Sequence, residues 1–113
     1  MQILKIDHSP SFQELVSLGE VFGNYIKLVA DVQQKILYGG AELHADLEKI
    51  LLESGSKQEN VWGGGIDTQN KTIDCRAVAN IRPGYNRSIE ILNPQIRQKF
   101  IKIVQQYFPK YHD

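Results

Sequence analysis

The chain has 113 residues, 42% apolar and 23% charged, enough for one domain around one core and too few for two. Lysine plus arginine and aspartate plus glutamate each total 13, which removes the broad positive surface that non-specific binding to nucleic acid or an anionic membrane requires, though a local basic patch stays open. Met1–Asp7 lacks the basic start and apolar stretch of a signal peptide, and no run approaches the roughly 18 apolar residues of a membrane span, so a cytoplasmic protein without membrane contact is expected.

Met1–Ile6 alternates imperfectly and predicts a short edge strand. Ser11 and Glu14 form a capping box, and Phe12, Leu15, Val16 and Leu18 supply an apolar stripe. A first helix is expected over about Ser11–Val21, weakened by Gly19 and ended by Gly23-Asn24. From Tyr25 to Val32 the pattern changes to alternation, with Ile26, Leu28, Ala30 and Val32 on one face and Lys27 and Asp31 on the other. That is a half-buried strand, and Lys35–Tyr38 follows as a second one before Gly39-Gly40 breaks it. A single helix over 22–38 competes with this reading, because Tyr25, Leu28, Val29, Val32 and Ile36 also sit near helical spacing; the density of β-branched residues favours strands.

Leu43, Leu47, Ile50 and Leu51 predict a second helix over 41–54, with Gly55 as its left-handed cap. After Val61-Trp62, the run Gly63-Gly64-Gly65 has no side chains to pack and must be a bulge, a bend or a place of close backbone approach. Ile66-Asp67 and Lys71-Thr72 flank Thr68-Gln69-Asn70 as a hairpin whose second strand runs from Lys71 to Arg82. Arg82-Pro83-Gly84-Tyr85 reads as a type II turn, and Arg87–Ile91 returns as another strand. Asn93-Pro94 starts a last helix, buried through Ile96, Phe100, Ile103, Val104 and Tyr107 and stopped by Pro109. No repeat or interdomain linker interrupts the chain.

These elements predict a single α+β domain: an antiparallel sheet of about four to six strands with about three helices packed on one face. The covered face carries Ile73, Cys75, Ala77 and Ile81, and the open face Asp74, Arg76, Asn80 and Arg82. Cys75 is alone, so no internal disulfide forms, and its place among the covered residues reads as core rather than as a reactive thiol.

Two polar clusters stand out. Glu42, His44, Asp46 and Glu48 crowd one segment; Asn80, Arg82, Asn86 and Arg87 bracket Pro83-Gly84. If the helix spans all of 42–48, His44 and Asp46 point apart; if it begins near Ala45, they can share a pocket with Glu42. Imidazole titrates near neutrality and carboxylates can orient it, so His44 and Asp46 are the candidate catalytic pair. The plainer account is that first-turn carboxylates answer the helix dipole and that Asp46 or His44 caps the helix. No metal-ligand spacing and no cofactor motif is present, so neither group is expected. Arg82 and Arg87, with Asn80 and Asn86 beside them, suit a carboxylate or phosphate; the competing account pairs the arginines with Asp74 or Glu90 and leaves Asn86 to the turn. Trp62 reads as a core anchor or as the stacking wall of a ligand site.

The segments Val29-Ala-Asp-Val, Glu42-Leu-His-Ala-Asp, Leu51-Leu-Glu-Ser-Gly-Ser-Lys-Gln-Glu-Asn-Val-Trp-Gly, Asn80-Ile-Arg-Pro and Asn86-Arg-Ser-Ile-Glu-Ile resemble a small bacterial domain family, common in cyanobacteria, with no activity assigned to it. The resemblance covers about residues 22–108, leaves the first 21 as an N-terminal extension, and implies a stand-alone prokaryotic protein.

The reading these features support is a polar pocket between the 42–46 segment and the 80–87 hairpin. There Arg82 and Arg87 hold a small anion with Glu42, Asn80 and Asn86 beside them, His44 and Asp46 transfer protons in a hydrolase-like reaction, and Trp62 forms a wall. The alternative is a non-enzymatic interaction module or homodimer using Tyr38, Tyr85, Tyr107 and Tyr111. RNA recognition through Arg76, Arg82 and Arg87 ranks last, because the net charge is zero.

Overall fold

A computed structural model describes residues 3–18 and 24–113; the expected strand start at Met1-Gln2 and the helix end at 19–23 lie outside them. Strands β1 (Ile3–Ile6), β2 (Tyr25–Asp31), β3 (Ile36–Gly40), β4 (Val61–Asp67) and β5 (Thr72–Asp74) form one antiparallel sheet in the order β1-β3-β2-β4-β5. Helices α1 (Phe12–Leu18), α2 (His44–Glu53) and α3 (Pro94–Tyr107) complete the α+β domain, with single 3-10 turns at Gln58–Asn60 and Val78–Asn80.

Local chemistry explains most boundaries. Ser11 and Glu14 exchange the two bonds of a capping box, Ser11 N to Glu14 Oε1 at 2.9 Å and Glu14 N to Ser11 Oγ at 3.2 Å. In α3, Asn93 Oδ1 accepts from Gln95 N and Ile96 N at 2.9 and 3.1 Å, and Pro94 stands first, where a missing N–H costs nothing. Gly55, at φ 103°, ends α2 in a Schellman arrangement, with Ser56 N on Leu51 O and Gly55 N on Leu52 O. Residues 25–38 are two strands, not a helix, and their turn is built like that of β4–β5. Asp31 Oδ1 accepts from Gln33 N and Gln34 N, Asp67 Oδ1 accepts from Gln69 N and Asn70 N, and each turn closes on a lysine at positive φ, Lys35 or Lys71. Gly39 and Gly40 belong to β3 rather than following it.

Helices cover both faces of the sheet, which corrects the expectation of one helical layer. Leu28 lies opposite Gly64 and Ala30 opposite Trp62, so these share a face; α3 packs there through Phe100, Ile101, Ile103 and Val104, and α1 through Leu15 and Leu18. Phe12 and Val16 stay exposed. On the other face, Leu47 and Leu51 of α2 pack with Val29, Val61 and Ala41. The physical reason is visible in the strands. Leu28-Val29-Ala30 and Val61-Trp62 are apolar without alternation, the mark of strands buried on both sides.

The long strand expected over Lys71–Arg82 also needs correction, because β5 stops at Asp74. Beyond it the chain leaves the sheet; Arg87–Ile91 forms no strand and contributes only the isolated bridge Arg76↔Glu90, with Arg82↔Asn86 bridging across the turn before it. Ile73, Cys75 and Ala77 are buried as expected, but Ile81 is exposed and Asn80, assigned to an open face, is fully buried. Pro83-Gly84 does form its turn, with Gly84 at φ 74° and Tyr85 N on Arg82 O at 3.0 Å.

Close approach explains the three glycines. A Cβ on Gly63 would stand 2.7 Å from Ala77 Cβ, one on Gly64 would stand 2.7 Å from Phe100 Cε1 and overlap the Asp74 carbonyl, and one on Gly65 would overlap the Tyr25 hydroxyl. Because the obstacles at Gly64 include backbone, Gly64→Ala is expected to cost about 3 kcal/mol in urea unfolding. A loss under about 1 kcal/mol would show that the strand relaxes around the methyl group.

Candidate functional site

The helix begins at His44, and that start decides where the first cluster points. Leu43 is the N-cap residue and makes no side-chain capping bond, so neither Asp46 nor His44, both inside the helix, is its cap. Asp46 sits in the first turn, where a carboxylate answers the helix dipole, and Glu42 is exposed. His44 turns inward over the glycines of β4. Its Nε2 lies 2.7 Å from the Gly64 carbonyl oxygen, and since a carbonyl only accepts, Nε2 carries the proton and the neutral ring keeps its lone pair on Nδ1. Burial lowers the His44 pKa below its ordinary value; the Gly64 bond opposes the shift and the charge of Lys27 adds to it. The ring is thus a neutral proton acceptor of fixed tautomer.

Beside it lies a pair that the sequence reading missed. Tyr25 Oη donates to Asp74 Oδ1 at 3.1 Å, and Arg76 N donates to the same oxygen at 3.2 Å. Burial raises the Asp74 pKa against the pull of those two bonds, and burial followed by the charge of Asp74 raises that of Tyr25. The signal for this pair was the glycine run itself: Gly65 lies opposite both Lys27 and Asp74, and a residue without a side chain leaves room for large polar neighbours.

The second cluster serves the backbone. Asn80 Oδ1 accepts from Gly63 N at 2.8 Å, and its Nδ2 donates to Gly63 O and to Ile89 O, both at 2.9 Å. The two bonds with Gly63 are those a neighbouring strand would make, supplied where β5 no longer reaches. Asn86 Nδ2 donates to the carbonyls of Asn80, Ser88 and Glu90, and Asn86 Oδ1 accepts from Leu92 N at 3.0 Å. Arg82 donates from Nη1 to Gln58 O at 2.7 Å and from Nη2 to Val61 O, and it stands 4.0 Å from the Glu48 carboxylate and 4.1 Å from the Trp62 ring. Its Nε is buried without a partner, and burial lowers its pKa. Trp62 is core, 1% exposed, with Nε1 on Glu59 O and Tyr85 stacked at 5.9 Å. Arg87 is exposed, and Glu90 pairs with Arg76 and Arg97 at 3.2 Å each rather than with Arg82 or Arg87.

The two segments therefore do meet, through Glu48 with Arg82 and through His44 and Ala77, which pack together over Gly63. They meet as a packed seam in which the side-chain amides of Asn80 and Asn86 and both Nη groups of Arg82 donate to main-chain carbonyls. Open space lies beside it. One hollow of about 430 Å³ is lined by Gln58, Ile81, Arg82 and Tyr85 among others, and one of about 320 Å³ by Trp62, Tyr85, Leu92 and Ile96 among others. Among the described residues no group of three or more His, Cys, Asp or Glu side chains is placed to hold a metal, and no helix is long and apolar enough to cross a membrane. Cys75 is buried in the core, which pushes its thiol pKa up to about 12.

Fold and seam define a single α+β domain with a five-stranded antiparallel sheet, one strand edge of which is completed by side chains. The chain belongs to the family described as protein of unknown function (DUF5674), which it matches over residues 4–107, so the match takes in β1 and α1 as well as the segments that carry the resemblance. No curated protein and no solved structure matches it.

Two outcomes follow from this geometry. Asn80→Ala strips the partners from Gly63 N–H, Gly63 C=O and Ile89 C=O and is expected to cost about 3 kcal/mol, with faster amide exchange at Gly63. The pH effect of His44 has a definite sign. With its folded pKa below the ordinary 6.5, the unfolded chain binds the proton first, so the stability contributed by the neutral ring is complete above about 6.5 and declines as pH falls below it. Chemical unfolding of His44→Gln against wild type should show a shallower loss between about pH 7 and 5; parallel curves would contradict the burial of the ring.

Proposed function

We propose that this protein is a homo-oligomerisation module that pairs with a second copy of itself through residues 78–92. The observation that carries the reading is a contrast within that segment. Its backbone is fixed by two buried asparagines, yet Val78 (76% exposed), Ile81, Tyr85 (61%), Ile89 and Leu92 (58%) face solvent. Apolar side chains that stay exposed on an ordered backbone gain by being covered, and the cost of ordering the loop has already been met on folding.

The shape favours a like partner. Tyr85 lines both hollows and is 61% exposed, so a two-fold axis through the segment would bring the ring of each copy against the hollows of the other. Arg76, Arg87 and Glu90 around the patch carry both signs, and the chain is neutral, so two copies meet without net repulsion. Tyr111 is buried and Tyr38 and Tyr107 are half-buried, which leaves Tyr85 as the anchor among the tyrosines first considered. Capture of a small anion by Arg82 has weaker support, because both of its Nη groups already serve backbone carbonyls.

Light scattering at high micromolar concentration is expected to give a dimer mass. Ile81→Asp with Leu92→Asp should weaken association at least about tenfold, worth about 1.4 kcal/mol, with an unchanged circular dichroism spectrum. A wild-type protein that stays monomeric there overturns the reading.

A further inference from the structure

Away from the seam, a cleft of about 370 Å³ opens between the β2–β3 turn and α3. Its floor is Val32 and Ile103, both nearly buried. Its walls are basic: Lys35 from the turn, with Lys99 and Lys102 from one stripe of α3. Residues 99, 102, 103 and 106 fall at i, i+3, i+4 and i+7, so one helical face supplies both lysines, the apolar floor and the Gln106 amide. Gln33 completes the rim from the other side.

The charged side chains that line the cleft are all of one sign. Acids and bases balance over the chain, and the other basic side chains include Arg76 and Arg97 paired with Glu90 and Arg82 beside Glu48. No carboxylate lines this cleft, and among the described residues none of Lys35, Lys99 and Lys102 takes part in an ion pair. The turn that carries Lys35 is rigid, held by buried Asp31 through Gln33 N, Gln34 N and the Ser56 hydroxyl. Three like charges around one concavity repel one another, and the arrangement is relieved by an anion that brings more than one negative charge.

We infer that this cleft binds the phosphate groups of a small phosphorylated molecule, with Lys35, Lys99 and Lys102 as the cationic contacts and the Gln33 and Gln106 amides as hydrogen-bonding partners. A monocarboxylate would answer only one of the three ammonium groups, whereas a polyphosphate or phosphate ester answers all of them, and lysine acts on phosphate as a compact point charge. The Val32 and Ile103 floor gives a flat apolar part of the ligand a surface to rest on, and the volume lies within the range of small-molecule sites. The cleft shares no residue with the 78–92 surface, so either proposal stands or falls without the other.

The test is an amide chemical-shift titration of the full chain with inorganic pyrophosphate, inorganic phosphate and acetate at matched ionic strength. Pyrophosphate is expected to saturate and to move the amides of Gln33, Lys35 and Gln106, with phosphate weaker and acetate not saturating. Lys99→Gln with Lys102→Gln should weaken pyrophosphate at least about tenfold while thermal unfolding is unchanged, because both side chains are exposed. Lys49→Gln, on α2 across the sheet, should leave binding as it is. Absence of saturation, acetate as effective as pyrophosphate, or an equal loss in Lys49→Gln would each overturn the inference.

Discussion

At Gly63 the sheet runs out of strand. β5 pairs with β4 only from Gly65 to Asp67, and the unpaired main-chain groups at Gly63 would otherwise be buried without partners. The Asn80 side chain takes the place of the missing strand, donating to one group and accepting from the other. A buried polar group left unpaired costs about 1–3 kcal/mol, and a domain of this size holds together by about 5–15, so one amide governs a substantial share of the stability. Asn86 then ties the carbonyl of Asn80 to Ser88, Glu90 and Leu92, and the exposed apolar segment takes its shape from that chain of bonds.

The glycine run is the counterpart of this arrangement. With no side chain at 63, 64 or 65, His44 and Ala77 lie on one face of β4 and Phe100 on the other at contact distance, and the Tyr25 hydroxyl reaches over the third position. β4 can be buried on both faces because it is thin at its middle. The inward turn of His44 belongs to the same device, since the ring needs the Gly64 carbonyl within reach and no Cβ in the way.

Much of the architecture was legible because it is written in local chemistry. Ser11 with Glu14, Asn93-Pro94, Gly55 and Pro83-Gly84 each fix a boundary through neighbours in the chain, and the density of β-branched residues separated strands from helix over residues 25–38. What failed was non-local. Ile73, Cys75, Ala77 and Ile81 alternate well beyond Asp74, but that pattern cannot reveal that a side-chain amide replaces the ladder and frees the backbone to leave it. The two-sided helical cover was missed because Val29 and Val61, which form the second buried face under α2, were assigned to neither face of the sheet. Of the candidate site residues, Asn80, Arg82 and Asn86 were marked as groups awaiting a ligand. Composition does not distinguish a ligand from the protein's own main chain, and here the engaged acceptors are carbonyls.

Trp62 is the sole tryptophan, and it sits in the core with the Arg82 guanidinium over its ring and Tyr85 stacked against it. The molecule therefore carries one indole chromophore whose surroundings join the sheet interior to the outermost ring of the 78–92 segment. Its emission reports from a site shielded from water and next to a cation, and any rearrangement that lifts Tyr85 alters that optical environment before the fold itself opens.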